Sequence, residues 1–204
     1  MDELNQLLKQ RRIKAKELAD LGVNLYANDF KPTHHISDIL PNTNDIRQES
    51  PPQGGTFSVA GRIIALRKFG KAAFLHIQDE NAKIQVYVKR DVVGAETYQI
   101  FKKFDIGDIV GFTGPLFKTK TGELTIQANA IKHITKSLRP LPEKFHGLTD
   151  VETRYRQRYV DLIVNPEVRD TFRKRVEIIR LVRDFLTNRG YLEVETPMMH
   201  PIPG

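Results

Sequence analysis

No cysteine occurs in the 204 residues, so disulfides and any zinc or redox site built on thiolates are excluded. No apolar run approaches the ~18 residues that a membrane span requires. The opening MDELNQLLKQRRIK is charged from its second residue and has no apolar h-region, which reads against a secretory signal. A cytoplasmic address without a membrane partner is therefore expected. Phosphate loops are missing as well, both GxxxxGK followed by Ser or Thr and a GxGxxG opening a helix. The histidines, His34, His35, His76, His133, His146 and His200, are scattered, and no HExxH occurs, so no metal site is expected on them. Spacing gives no Ser–His–Asp constellation, and no catalytic residue is assigned. Internal repeats and low-complexity tracts are absent too.

What is present is an ordinary globular balance, 40% apolar and 28% charged, with an uneven charge. Residues 56–136 carry 13 Lys and Arg against 7 Asp and Glu, a local excess of 6 within a total net charge of +7. Such a segment suits a polyanion. Charge alone fits a basic surface kept for solubility equally well.

The chain divides into a helix and connector at 1–55, a strand-rich segment at 56–136, a linker at 137–149 and a helical segment at 150–204. Leu4, Leu7, Leu8, Arg11, Ala15 and Leu18 share one face of a helix over residues 2–21, and Gly22 stops it. Prolines and glycines across 22–55 read as an irregular connector. Strands follow at 56–69, 72–78, 83–89, 108–118 and 123–135, with a helix at 94–104. Three strands, a helix and two strands in about 80 residues match the OB-fold, a five-stranded barrel that binds oligonucleotides on one face. Beyond the Pro-rich LRPLPEKFHG lie helices at 150–163 and 166–189 and a short strand at 191–195. Asn165 is placed to cap the last helix, with Pro166 in its first position and Gly190 at its end. The long apolar helix and lone strand read as the opening part of a larger α+β domain.

Single-strand recognition needs flat side chains for stacking and polar ones that reach base edges. On the middle strands Phe74 and His76 share a face, and so do Gln85 and Tyr87. Arg67 lies near the end of the first strand. A barrel phenylalanine is equally at home in a core, so Phe74 has both readings. Lys68, Lys71, Lys118 and Lys120 fall at strand ends and turns, where OB loops frame a groove and cations meet an RNA backbone.

The stretches GRIIALRKFGKAAFLHIQDENAKIQVYV, LFKTKTGELTI, LRPLPEKFHGL, RYRQRYVDLI and FLTNRGYLEVETPMM together resemble bacterial class II lysyl-tRNA synthetases. The last is similar to class II motif 1, which ends in a proline, here Pro197, and builds a homodimer interface in that family. The resemblance implies an anticodon-binding barrel that recognises tRNA(Lys). Phe74 stands where an aromatic residue stacks on an anticodon base, and Arg67 and Gln85 where side chains hydrogen-bond the bases. Glu123 stands where a carboxylate accepts from a uridine N3–H. The family's enzyme activates lysine with ATP and Mg2+ and transfers it to tRNA. Motifs 2 and 3 fall outside the 204 residues, so these alone are expected to be catalytically inactive and to bind neither cofactor. The alternatives are a general single-stranded nucleic-acid module, which leaves residues 139–199 without a role, and a dimerisation piece, which leaves the barrel without one.

Overall fold

The computed structural model describes residues 2–40, 55–142 and 148–197. Much of the expected connector, 41–54, and part of the linker, 143–147, lie outside the described residues. The chain forms two compact units, residues 1–140 and 141–204.

In the first unit the strands are β1 (Phe57–Phe69), β2 (Ala72–Gln78), β3 (Lys83–Lys89), β4 (Ile109–Gly114), β5 (Leu116–Lys118), β6 (Leu124–Gln127) and β7 (Ala130–Thr135). They pair in the order β5-β6-β3-β2-β1-β4-β7. All pairings are antiparallel except β3 with β6. The fourth and fifth expected strands are thus each bent in two. Pro115 separates β4 from β5 because it has no N–H for a ladder, and Ala128-Asn129 separates β6 from β7. The two bends meet: Gln127 N–H donates to Pro115 O and Asn129 N–H to Thr113 O, both at 2.9 Å. Gly114 lies at this crossing, where an added Cβ would come 1.8 Å from Gln127 O. Each bent strand therefore pairs with different neighbours along its length, and the sheet curls into a barrel.

Alternation sorts the side chains. Ala73, Leu75 and Ile77 of β2 and Ile84, Val86 and Val88 of β3 are buried, and with Val59, Ile63, Val110, Phe112 and Ile126 they fill the barrel. β1 changes register between Ile63, opposite Ile77, and Ala65, opposite His76. This bulge leaves Ile64 unmatched and puts Ala65 and Arg67 on the outer face, with Leu66 and Lys68 on the opposite side of the strand.

The expected helix at 94–104 is α4 (Ala95–Phe101), and a short helix that was not expected, α3 (Arg90–Val93), precedes it across Gly94 at φ 88°. Tyr98, Phe101 and Phe104 close that end of the barrel. The first helix, α1 (Asp2–Asp20), packs by its second half only. Arg11, Ala15 and Leu18 are buried, whereas Leu4 and Leu7 are exposed. Residues 22–40 do more than connect: helix α2 (Ile36–Ile39) inserts both its isoleucines into the core. Proline and glycine content hid that role, since two isoleucines suffice to anchor a short segment.

The second unit holds helices α5 (Val151–Arg156), α6 (Arg158–Val164) and α7 (Pro166–Thr187). The expected helix at 150–163 is broken at Gln157, which leaves helical geometry with φ −115° and ψ 51°. Asp150 caps α5, accepting from Thr153 N–H at 2.8 Å. Asn165 does not cap α7 by its side chain; its amide donates to buried Asp161 at 2.6 Å instead. Gly190 follows the helix with φ 84°, as expected. Residues 191–195 form no strand, because no other segment among the described residues pairs with them. Val168 is buried, but Phe172, Val176, Ile179, Val182 and Leu186 are exposed, as are Ile178, Leu181 and Phe185.

Candidate nucleic-acid interface

Two rows of side chains cross the outer face of the barrel. Register places Ala65 of β1 opposite His76, His76 opposite Gln85, Gln85 beside Thr125 of β6, and Thr125 opposite Phe117 of β5. The second row is Arg67, Phe74 and Tyr87. Phe74 is thus on the outer face and not in the core. Its ring centroid lies 4.7 Å from that of Tyr87, and Tyr87 meets Phe117 edge-on at 6.1 Å. Three aromatic rings therefore run across the face, with the geometry of a stacking platform.

Beside them stands a polar cluster. Glu123 follows the turn 119–122, which Gly122 permits at φ 82°. Thr119 fixes the turn, its N–H donating to Glu123 O at 3.0 Å and its hydroxyl accepting from Glu123 N–H at 3.1 Å. The Glu123 carboxylate then lies against β2 and β3. One oxygen is 2.7 Å from His76 Nε2, and the other accepts from Gln85 Nε2 at 2.7 Å. An ionised carboxylate only accepts, so His76 must carry a hydrogen on Nε2. Gln85 Oε1 in turn accepts from the Thr125 hydroxyl at 2.7 Å.

A groove of about 590 Å³ opens over this face, lined by Arg67, Phe69, Phe74, Gln85, Phe117, Glu123 and the turn residues Lys118–Thr121. It offers aromatic surface, an acceptor, an amide donor and cations at one rim, the set that single-stranded bases and their phosphates require.

Of the expected base-reading residues, Arg67, Phe74, Gln85 and Glu123 all line this groove, as do Lys118 and Lys120. Lys71 is exposed in the turn between β1 and β2 and does not line it. Lys68 is elsewhere. It lies on the other side of β1 from Arg67, still exposed, and its ammonium donates to Lys102 O at 2.6 Å and Phe104 O at 3.3 Å, just past the C-terminus of α4. A cation there meets the negative end of the helix. Desolvation, with Lys14 adding to it, holds Lys68 below the usual lysine range. It thus serves the carbonyls after α4 and does not line the groove. Pro197 is exposed, and α7 carries the apolar surface before it. Sequence reading missed Phe69, Phe117 and Thr125. Phe117 was legible, since it alternates with core Leu116; Thr125 was not, because its value lies in a cross-strand partner.

A family model of the OB-fold nucleic acid binding domain matches residues 57–134. A model of class II tRNA synthetases (D, K and N) matches residues 150–204. The chain thus carries an OB-fold nucleic acid binding domain followed by a class II tRNA synthetase segment. Over nearly its whole length it is homologous to lysine–tRNA ligases. That of Carboxydothermus hydrogenoformans is 52% identical over 202 residues, 99% of this chain and 40% of that protein. That of Magnetococcus marinus is 50% identical over 203 residues, again 99% and 40%. That of Pelotomaculum thermopropionicum is 52% identical over 203 residues, 100% and 39%. The chain thus spans about 40% of the length of the curated relatives it matches. No helix among the described residues is long and apolar enough to cross a membrane.

Proposed function

We propose that the barrel reads the anticodon of tRNA(Lys), as part of a lysine–tRNA ligase. The observation that carries this is the groove in which Phe74, its ring backed by Tyr87, stands beside a Glu123–Gln85 pair. Uracil fits it: the ring stacks on Phe74, its N3–H donates to Glu123, and its carbonyls accept from Gln85 or Arg67. Cytosine presents a lone pair at N3, which the carboxylate repels. Lys118 and Lys120 meet the flanking phosphates.

The whole ligase, on this reading, activates lysine with ATP and Mg2+ and transfers it to the tRNA in the cytoplasm. Among the described residues no group of three or more His, Asp or Glu is arranged to hold a metal ion. Residues 150–204, with Pro197 and the apolar α7, serve as the motif 1 dimer interface.

The test is a titration of the chain with a lysine-anticodon stem-loop at two salt concentrations, beside the same hairpin with its central U changed to C. A preference for the U hairpin that disappears in Glu123→Gln supports the reading. Equal binding of both hairpins reduces the barrel to a general single-strand module, and absence of binding removes the RNA role.

A further inference from the structure

Behind the side chains that face the groove lies a continuous chain of hydrogen bonds, from Thr125 through Gln85 and Glu123 to His76. We propose that Thr125 and His76 are positioning residues that set the base selectivity of this face. The proposal rests on reading the face as one that recognises uridine.

A glutamine amide has a donor end and an acceptor end, and a half-turn exchanges them. Glu123 accepts only, so Gln85 must turn Nε2 toward it. That leaves Gln85 Oε1 pointing at Thr125, whose side chain is fully buried. The Thr125 hydroxyl satisfies that oxygen where water does not reach. With the hydroxyl removed, the orientation of Gln85 leaves an acceptor unpartnered, and the amide swings away to find water. The donor presented to the base goes with it.

His76 acts on the other side of the carboxylate. Its Nε2 holds one oxygen while Gln85 holds the second, which fixes the carboxylate plane across β2 and β3. Each oxygen keeps a further lone pair for a base N–H. The pair is open to a ligand, with the two side chains 31% and 44% exposed. The two side chains that grip the Glu123 carboxylate are thus His76 and Gln85, and Gln85 is itself held by Thr125.

The experiment measures dissociation constants of the full chain and five variants, Glu123→Gln among them, for the U and C hairpins by fluorescence anisotropy, with a thermal melt of each protein. Thr125→Val and His76→Leu are expected to lower the U-over-C preference roughly fivefold, the worth of one net hydrogen bond. Thr125→Ser and His76→Gln, which restore a hydroxyl and an N–H donor, are expected to recover it. Should both apolar variants keep the full preference while Glu123→Gln loses it, the positioning role falls and the anticodon reading stands. Should Ser and Gln fail to rescue, the two residues act through packing and the proposal is overturned. A wild-type chain without U preference overturns both readings. If Thr125→Val melts too early to be assayed, the His76 pair on the surface still decides the outcome.

Discussion

The ammonium of Lys136 lies 2.8 Å from a carboxylate oxygen of Asp108, and neither side chain is exposed at all. Lys136 also donates to Asp105 at 2.7 Å, and Asp108 accepts from Ser137 N–H at 2.8 Å. Arg11 of α1 donates to Ser137 O at 2.9 Å and Ile106 O at 2.8 Å. Charges thus join α1 to the barrel beside the buried Ala15 and Leu18. Lys136→Met strands buried Asp108 and should cost about 3–5 kcal/mol. Urea denaturation of the two proteins checks this; a loss below about 1 kcal/mol would mean that water reaches the pair.

His133 neighbours that pair, with its ring 5.1 Å from Phe104 and Nε2 3.9 Å from Asp108. Burial pushes its pKa below the ordinary 6.5, with Asp108 opposing and Lys136 adding to the effect. The folded pKa is therefore the lower one. Below about 6.5 the unfolded chain takes a proton that the folded chain refuses, so stability falls as pH drops. Asp105 acts further down: burial raises its carboxyl, but Lys136 and Lys14 outweigh that and hold it below 3.8. Its contribution is complete above about 3.8 and lost as pH falls through the depressed value. Denaturation midpoints at about pH 7.5 and 5 should differ less in His133→Phe than in the parent. An equal difference would count against a buried neutral imidazole.

The lysines divide by register. Each of Lys118 and Lys120 replaced by Ala should lower the slope of log affinity against log salt by about 0.7, the value for one phosphate contact on a single strand. Lys68→Met should leave that slope alone and lower the melting temperature, since its ammonium serves the carbonyls after α4. Titrations of the hairpin at several salt concentrations separate the two outcomes.

Phe74→Ala removes the first ring of the platform. Hairpin affinity should fall by about 1–3 kcal/mol, the worth of stacking one base. The salt slope should stay where it was. A change in slope with no change in affinity at high salt would place the base elsewhere.

Helix α7 presents Val176, Ile178, Leu181, Val182 and Phe185 on its surface, all more than half exposed. A patch of this kind marks an interaction site. If it pairs two copies, the chain sediments as a dimer at micromolar concentration, and Val176→Asp with Val182→Asp yields monomers. A parent chain that is monomeric at every concentration would remove the dimer role of this helix.

The hairpin of β2 and β3 was legible because alternation over Ala72–Gln78 and Lys83–Lys89 is strict, and a strict period fixes which residues share a face. So was the α7 start, where Pro166 leaves little choice. The bends were harder. Asp108–Lys118 reads as one β-rich run, and only Pro115 hints that its two ends pair with different strands. Asn165 has the chemistry of a cap, but Asp161 competes for its amide, a contact no local rule contains. Lys68 looked like Lys118 in sequence, a cation at a strand end; their difference is one of side, and the side of β1 was hidden. Ile63, Ile64 and Ala65 are all apolar, so nothing in their order tells which one leaves the ladder.

That single unmatched residue has a consequence for how the groove can change. Along β1, position beyond Ile64 is counted from the bulge and not from the strand's start. Were Ile64 to enter the ladder, the bulge would close and the one-residue slip would exchange the places of Arg67 and Lys68 without altering either. Loss of Ile64 would do the opposite, removing the bulge and leaving Arg67 opposite Phe74. On this strand one spare residue decides which cation faces the groove, and substitutions at Arg67 or Lys68 would pass over it.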